Sequence, residues 1–212
     1  QIRASTSTQT LGRHATWCRV AVVVEPSAAG EQGYQSGGVW AGGVSRPSAV
    51  WRDETRQVVL FTEGTALVGG VPTSAVYRRT SSDGVNFDDS VFAVWAPAPG
   101  ANLTDLHPRV TADPDGKTLH MMVKRGSGFE HWTSRDWGLT WAANPANPVL
   151  TLSSPGMPGV GNDDIGGAML VAGINGASFV LAFDFRPGGS IGGASGGAGI
   201  YYAIAPRRIT TS

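Results

Sequence analysis

The sequence lacks several features that would assign it to a particular protein class. Its one cysteine, Cys18, excludes an internal disulfide. Charged residues make up only 15% of the chain, and 16 Lys and Arg balance 16 Asp and Glu, so there is no basic excess to neutralise nucleic-acid phosphates. No run approaches the roughly 18 apolar residues that a membrane-spanning helix needs. We therefore expect neither a nucleic-acid partner nor a membrane span.

Glycine and proline are abundant instead. The chain has 30 Gly and 13 Pro among 212 residues, and both residue types oppose the interior of a helix. The hydrophobic fraction of 41% is sufficient to bury a core. This combination predicts an all-β protein of many short strands joined by turns.

Two segments of the chain repeat one pattern. In each, a Pro opens a short strand, and then come a polar turn, an apolar strand, a Gly-containing loop, a third strand and an Asp-Gly type hairpin. A fourth strand follows, predicted at residues 91–95 in the first copy and 149–152 in the second. Four antiparallel strands in every 50–60 residues or so are typical of a β-propeller blade.

This pattern divides the chain into four parts. Residues 1–45 would hold N-terminal strands of a first or closing blade, 46–99 and 100–153 one blade each, and 154–212 the last blade. We expect four blades, or five if the two ends of the chain combine to close the ring. Further strands are predicted at 16–25, 38–43, 167–172, 178–185 and 199–204, with a Gly-rich loop at 188–199.

The hairpin of the second copy carries a recognisable motif. Residues 134–141 match Ser-x-Asp-x-Gly-x-Thr-Trp at every specified position, and residues 81–87 form a variant that is one residue shorter. Over about residues 45–152 the chain therefore resembles the Asp-box, sialidase-like β-propeller superfamily. In such a turn the Asp accepts backbone hydrogen bonds, the Gly permits a positive φ, and the aromatic residue is buried. The residues assigned this structural role are Ser81, Asp83, Gly84, Phe87, Ser134, Asp136, Gly138, Thr140 and Trp141.

The face opposite these hairpins carries the binding sites of the propeller enzymes that the chain resembles. Paired carboxylates there could hydrolyse glycosides, although acidic loop residues also cap turns or are simply solvated. The catalytic candidates are Asp105, Asp163, Asp164 and Glu63. The ligand-binding candidates are His107, Arg125 and Glu130, with Trp40, Trp51 and Trp95 as rings that either stack on sugars or pack in the blades.

A sialidase-type site would also show three arginines around a substrate carboxylate and a Tyr–Glu nucleophile pair. No Arg-Ile-Pro-like segment opens a first blade, and Tyr201 and Tyr202 are consecutive in a predicted strand. We therefore predict a non-enzymatic, glycan-recognising attachment module on a secreted or virion protein, such as a phage tail or spike, that binds cell-surface ligands or other structural subunits. The alternatives are a sialidase-like glycoside hydrolase and a structural assembly subunit. The sequence contains no cofactor motif and no metal-ligand cluster, so neither group is expected.

Overall fold

The computed structural model describes residues 9–11, 15–17, 45–68, 71–88, 93–97, 106–113, 116–155, 157, 164–172, 178–186 and 199–206. Every helix or strand in these residues is a β-strand, and every strand pair is antiparallel. The all-β class that the composition predicts is confirmed. Within the described residues, no helix is long and apolar enough to cross a membrane.

The strands are numbered here in chain order. They are β1 (Gln9–Leu11), β2 (Ala15–Trp17), β3 (Ser45–Arg52), β4 (Gln57–Val68), β5 (Val71–Ser81), β6 (Ala93–Trp95), β7 (Arg109–Ala112), β8 (Leu119–Arg125), β9 (Gly128–Ser134), β10 (Ala142–Ala143), β11 (Leu150–Thr151), β12 (Asp164–Ala172), β13 (Ser178–Arg186) and β14 (Gly199–Pro206).

These strands form three larger sheets and one hairpin. The first sheet has the order β3-β4-β5-β6, the second β7-β8-β9-β10 with β11 also paired to β9, and the third β12-β13-β14, while β1 pairs with β2. The predicted strands at 38–43, most of that at 16–25 and the loop at 188–198 lie outside the described residues. The number of blades therefore stays a prediction.

The outer edge of the second sheet differs from the single strand expected at 149–152. Two short strands, β10 and β11, both pair with β9. Between them the Asn147 side chain replaces a strand backbone, because its Oδ1 accepts the His131 N–H at 2.8 Å and its Nδ2 donates to the His131 carbonyl at 2.9 Å. The side chain thus satisfies the β9 backbone where the outer strand is interrupted.

Strand β8 is buried on both faces. Its residues from Leu119 to Lys124 are all buried, without the alternation of a strand that has one wet face. One face belongs to the core between the first and second sheets, and the other contributes Met122 to a smaller core with the third sheet. The first core consists of Val50, Val59, Phe61, Val76, Trp95, Leu106, Val110, Leu119, Met121 and Val123. The second consists of Met122, Phe129, Leu181 and Phe183.

The two motif turns make the same hydrogen bonds. In the second, Asp136 Oδ1 accepts the Leu139 and Thr140 N–H groups, both at 3.0 Å, and Ser134 Oγ accepts the Gly138 N–H at 2.8 Å. Burial raises the pKa of Asp136, but the hydrogen bonds from Thr140, Ser134 and Leu139 outweigh burial and lower it. In the first turn, hydrogen bonds from Asn86, Val85 and Ser81 hold the pKa of Asp83 well below its usual range. Both carboxylates are therefore committed to their own turns.

The 134–141 turn also docks on the first sheet. Arg78 Nε on β5 donates to the Trp137 carbonyl at 2.8 Å. The Phe61 and Trp141 rings meet edge-on with centroids 5.8 Å apart. A Cβ atom at Gly138, where φ is +81°, would lie 2.5 Å from two Phe61 ring carbons. Glycine is required there by the backbone conformation and by the close approach of Phe61.

A chain of polar side chains crosses the face of β7, β8 and β9 that is turned away from the first sheet. His120 Nδ1 lies 3.0 Å from His131 Nε2, His120 Nε2 lies 3.3 Å from Asp113 Oδ1, and Asn144 Nδ2 lies 3.1 Å from His131 Nδ1. One proton arrangement fits all three contacts, with Asn144 donating to His131, His131 Nε2–H donating to His120, and His120 Nε2–H directed at Asp113. Burial and then the neighbouring His120 lower the pKa of His131 to about 4.

Replacing Gly138 by alanine should lower the free energy of unfolding by about 3 kcal/mol. The alanine must adopt a positive φ, and its Cβ must displace the Phe61 ring. Gly116→Ala is the matched control, since its φ is +68° but no heavy atom lies within 4 Å of the added Cβ. We expect about 1 kcal/mol for the control. Equal losses in urea denaturation of the two variants would contradict the packing role of Gly138.

The folded chain should lose stability in mild acid through His131. Its pKa of about 4 in the folded chain lies below the ordinary value of 6.5, so the unfolded chain takes up the proton first. The folded chain therefore keeps its full stability above pH 6.5. As the pH falls from 6.5 toward 4, the free energy of unfolding decreases by up to about 3 kcal/mol. Chemical denaturation at several pH values measures this slope, and a His131→Gln variant should show a smaller one. Identical slopes would refute the assignment.

Candidate functional site

The first two sheets have their equivalent ends together. The motif turns lie at one end, the turn end, where Arg78 meets Trp137. The opposite end, which we call the loop edge, contains Glu63 on β4, the starts of β3 and β7, and the hairpin between β8 and β9. Contact between Glu63 and His107 joins the sheets there. The loop edge is the end where the sequence predicts a binding site.

Glu63 carries a buried carboxylate that bridges the two sheets. The residue is 5% exposed. Its Oε1 accepts the Leu106 N–H at 3.0 Å, and its Oε2 accepts the His107 N–H at 3.1 Å and Arg46 Nη1 at 3.0 Å. Of the catalytic candidates that the sequence nominates, Glu63 is the one whose side chain the structure describes. Both of its oxygens accept hydrogen bonds, and the three donors belong to two different sheets.

Two arginines accompany Glu63. Arg46 lies on β3 and Arg109 on β7. The pKa of Arg109 is lowered first by burial and then by the charge of Arg46, while the charge of Glu63 opposes both. The two guanidinium groups are therefore close enough to repel each other at the loop edge. Neither arginine is among the site residues that the sequence predicts, although both lie beside a proline that opens a repeat.

The strands β3 and β7 begin with the same unusual backbone conformation. Arg46 has φ +52° and is followed by Pro47, and His107 has φ +46° and is followed by Pro108. A positive φ is uncommon outside glycine, and proline further disfavours helical conformations in the residue before it. Such strain persists where the surroundings fix the backbone, and it is frequent at functional sites. The repetition directs attention to these two positions.

A second carboxylate lies on β9. Glu130 is 6% exposed, and its Oε1 accepts Arg125 Nη1 at 2.7 Å while its Oε2 accepts Trp132 Nε1 at 3.3 Å. Trp132 meets Trp95 edge-on with centroids 5.3 Å apart. Glu130 thus links the candidate Arg125 to Trp132, and Trp132 in turn packs on the candidate Trp95. Trp95 is buried in the core, so its ring packs between the sheets.

The remaining candidates are not part of this group. Trp51 lies at the turn end of β3, where it is 48% exposed and its Nε1 donates to Asp53 Oδ1 at 2.6 Å. The backbone of Asp164 begins β12 opposite Arg186, and its side chain lies outside the description. Three further candidates also lie outside the described residues, namely Asp105, Asp163 and Trp40.

The described part of the loop edge is rich in guanidinium groups, which bond acceptors of the protein itself. Three guanidinium groups, on Arg46, Arg109 and Arg125, and two carboxylates, Glu63 and Glu130, come from two sheets that are packed against each other. Over the residues that the structure describes, no group of three or more His, Cys, Asp or Glu side chains could hold a metal ion. The arrangement can orient a charged substrate, since guanidinium groups bind carboxylates with two parallel hydrogen bonds.

No protein-family model matches the chain, and no curated protein matches it. Solved structures do match. An N-acetylgalactosamine deacetylase from F. plautii, solved with blood group B trisaccharide, has a TM-score of 0.51 and 17% identity, over 76% of this chain and 49% of its own. A glycoside hydrolase has a TM-score of 0.53 and 13% identity, over 90% of this chain and 58% of its own. The chain spans about half the length of the structures it matches.

These matches show the fold of the chain, since the structures matched have propeller-type folds. They contradict the sequence-based prediction of a non-enzymatic attachment module, since the matching folds belong to enzymes of carbohydrate chemistry, and they favour its glycoside hydrolase alternative. They lend no support to the predicted virion, tail-fibre, extracellular or structural assignments.

Proposed function

We propose that the chain forms part of an Asp-box, sialidase-like β-propeller glycoside hydrolase. Its two Ser-x-Asp turns make matching hydrogen bonds in neighbouring sheets. The first strand of the second sheet, β7, contacts the first strands of the other two, β3 and β12. First strands that lie side by side suit the central axis of a propeller, for which we propose four blades, or five if the chain ends combine.

The position of Arg46 and Arg109 carries the proposal. They come from the first strands of two different sheets at the loop edge, where Arg46 bonds Glu63 and the charge of Arg46 helps to lower the pKa of Arg109. A pair of guanidinium forks suits the planar, bidentate geometry of a carboxylate. We therefore propose that the substrate is a glycoside of an acidic sugar, and that its carboxylate binds at Arg46 and Arg109.

Hydrolysis of a glycoside also requires two carboxyl groups. One protonates the leaving oxygen, and the other activates water or attacks the anomeric carbon. Glu63 and Glu130 accept hydrogen bonds at both oxygens from neighbouring groups. We therefore assign the acid and the base or nucleophile to carboxylates among Asp105, Asp163 and Asp164. The glycan partner and the extracellular or virion location remain predictions from the sequence.

Fluorogenic glycosides of acidic and neutral sugars test this function. We expect turnover of an acidic glycoside, such as a sialoside or a glucuronide, in preference to neutral ones. Arg109→Met should lower kcat/KM for the acidic substrate by roughly 10- to 100-fold, because a charge-assisted hydrogen bond contributes about 1.5–3 kcal/mol. Arg56→Met is the matched control, since Arg56 lies exposed in the turn between β3 and β4 at the turn end, and it should retain full activity.

An Asp105→Ala/Asp163→Ala double variant completes the assay. Loss of turnover in this variant, with binding retained, supports the assignment of the catalytic carboxylates. Equal rates on acidic and neutral glycosides would refute the acidic-sugar substrate. Absence of turnover on every glycoside would refute the hydrolase.

A further inference from the structure

Glu63 is placed differently from a carboxylate that performs chemistry. A general acid or a nucleophile must present an oxygen to the substrate, within about 3 Å of the reacting atom. Both oxygens of Glu63 instead accept hydrogen bonds from protein donors, and the residue is 5% exposed. Two of the three donors are consecutive backbone N–H groups, Leu106 and His107, from the neighbouring sheet.

Those two N–H groups belong to the turn that opens β7. His107 has φ +46° before Pro108, a conformation that needs an external constraint to persist. The Glu63 carboxylate supplies such a constraint, because it binds the N–H of His107 and the N–H of Leu106 at the same time. The Leu106 carbonyl in turn accepts the Lys124 N–H at 2.6 Å, so the turn is fixed to β8 as well.

Glu63 also bonds the equivalent residue of its own sheet. Its contact with Arg46 Nη1 engages the residue that has φ +52° before Pro47. The same carboxylate therefore bonds the side chain of one strained pre-proline residue and the backbone of the other. These residues begin the neighbouring strands β3 and β7.

We propose that Glu63 is a positioning residue, which holds the Leu106–His107 turn and Arg46 in register and so sets the geometry of the loop edge. The inference rests on the proposed function only in its effect on turnover. Asp105, one of the carboxylates to which the catalytic roles are assigned above, directly precedes Leu106 in the sequence. Glu63 thus acts through Arg46, His107 and the residues beside them.

Hydrogen exchange of the full chain tests the structural part without any assay of activity. In Glu63→Gln the side-chain amide presents a donor in place of one acceptor, and so it opposes at least one of the three donors. We expect the Leu106 and His107 amides to exchange at least about tenfold faster, which corresponds to a loss of about 1.4 kcal/mol. The amides of the 134–141 turn serve as the internal reference. Unchanged protection at Leu106 and His107 would overturn the proposal.

Kinetics separates positioning from direct catalysis. Glu63→Gln should lower kcat/KM roughly 10- to 100-fold through misplacement, and Glu63→Asp, which keeps the charge, should recover most of the loss. Arg78→Gln removes a hydrogen bond between the sheets at the turn end, and it should destabilise the fold without changing kcat/KM. Equal losses of kcat/KM in Glu63→Gln and Arg78→Gln would reduce the role of Glu63 to general stability and overturn the proposal.

Sodium azide distinguishes the two chemical roles. Added azide can replace a missing nucleophilic carboxylate, because it attacks the anomeric carbon and leaves a glycosyl azide. We expect no recovery of turnover in Glu63→Ala with azide. Recovery with a glycosyl azide product would show that Glu63 itself reacts with the sugar, and would overturn the positioning role. If the unaltered chain turns over no glycoside, the hydrolase proposal fails while hydrogen exchange still decides the role of Glu63.

Discussion

The apolar layer between the first and second sheets is the interaction on which the other contacts depend. Phe61 is fully buried in it and meets Trp141 edge-on, and the close approach of its ring leaves no room for a side chain at Gly138. Burial of this kind is the main favourable term in folding, but it has no direction of its own. It sets how far apart the sheets stand. Hydrogen bonds between the sheets then become possible, since they tolerate only a few tenths of an ångström of error.

Polar contacts at the two ends of the layer supply the direction that burial lacks. Arg78 joins the sheets at the turn end, Ser48 Oγ bonds the backbone of Val110 between the inner strands, and Glu63 joins them at the loop edge. The net gain from each hydrogen bond is about 1 kcal/mol. A misaligned sheet would, however, leave the Glu63 carboxylate buried without donors, which costs several kcal/mol. The contacts therefore select one alignment more than they add stability.

The preference for a non-enzymatic module was wrong, because the matching folds belong to enzymes of carbohydrate chemistry. That preference relied on the absence of an arginine motif at the start of a first blade. In the folded chain, Arg46 and Arg109 come from the first strands of two neighbouring sheets, and the charge of Arg46 acts on Arg109. Arginines that different sheets bring together leave no local motif. Trp95, conversely, is conspicuous in the sequence, and the structure buries it against Trp132.

Composition and local pattern predict the all-β class and the existence of most central strands, because Gly- and Pro-rich turns and short apolar runs are local signals. They also locate the two turns around Asp83 and Asp136, whose hydrogen bonds lie within a few residues of one another. They do not determine the split outer edge at β10 and β11, where the Asn147 side chain bonds the β9 backbone. Nor do they determine the partners of Glu63, since these donors come from another sheet. Only tertiary packing decides such contacts, because they depend on the distance and register between sheets, which no local pattern encodes.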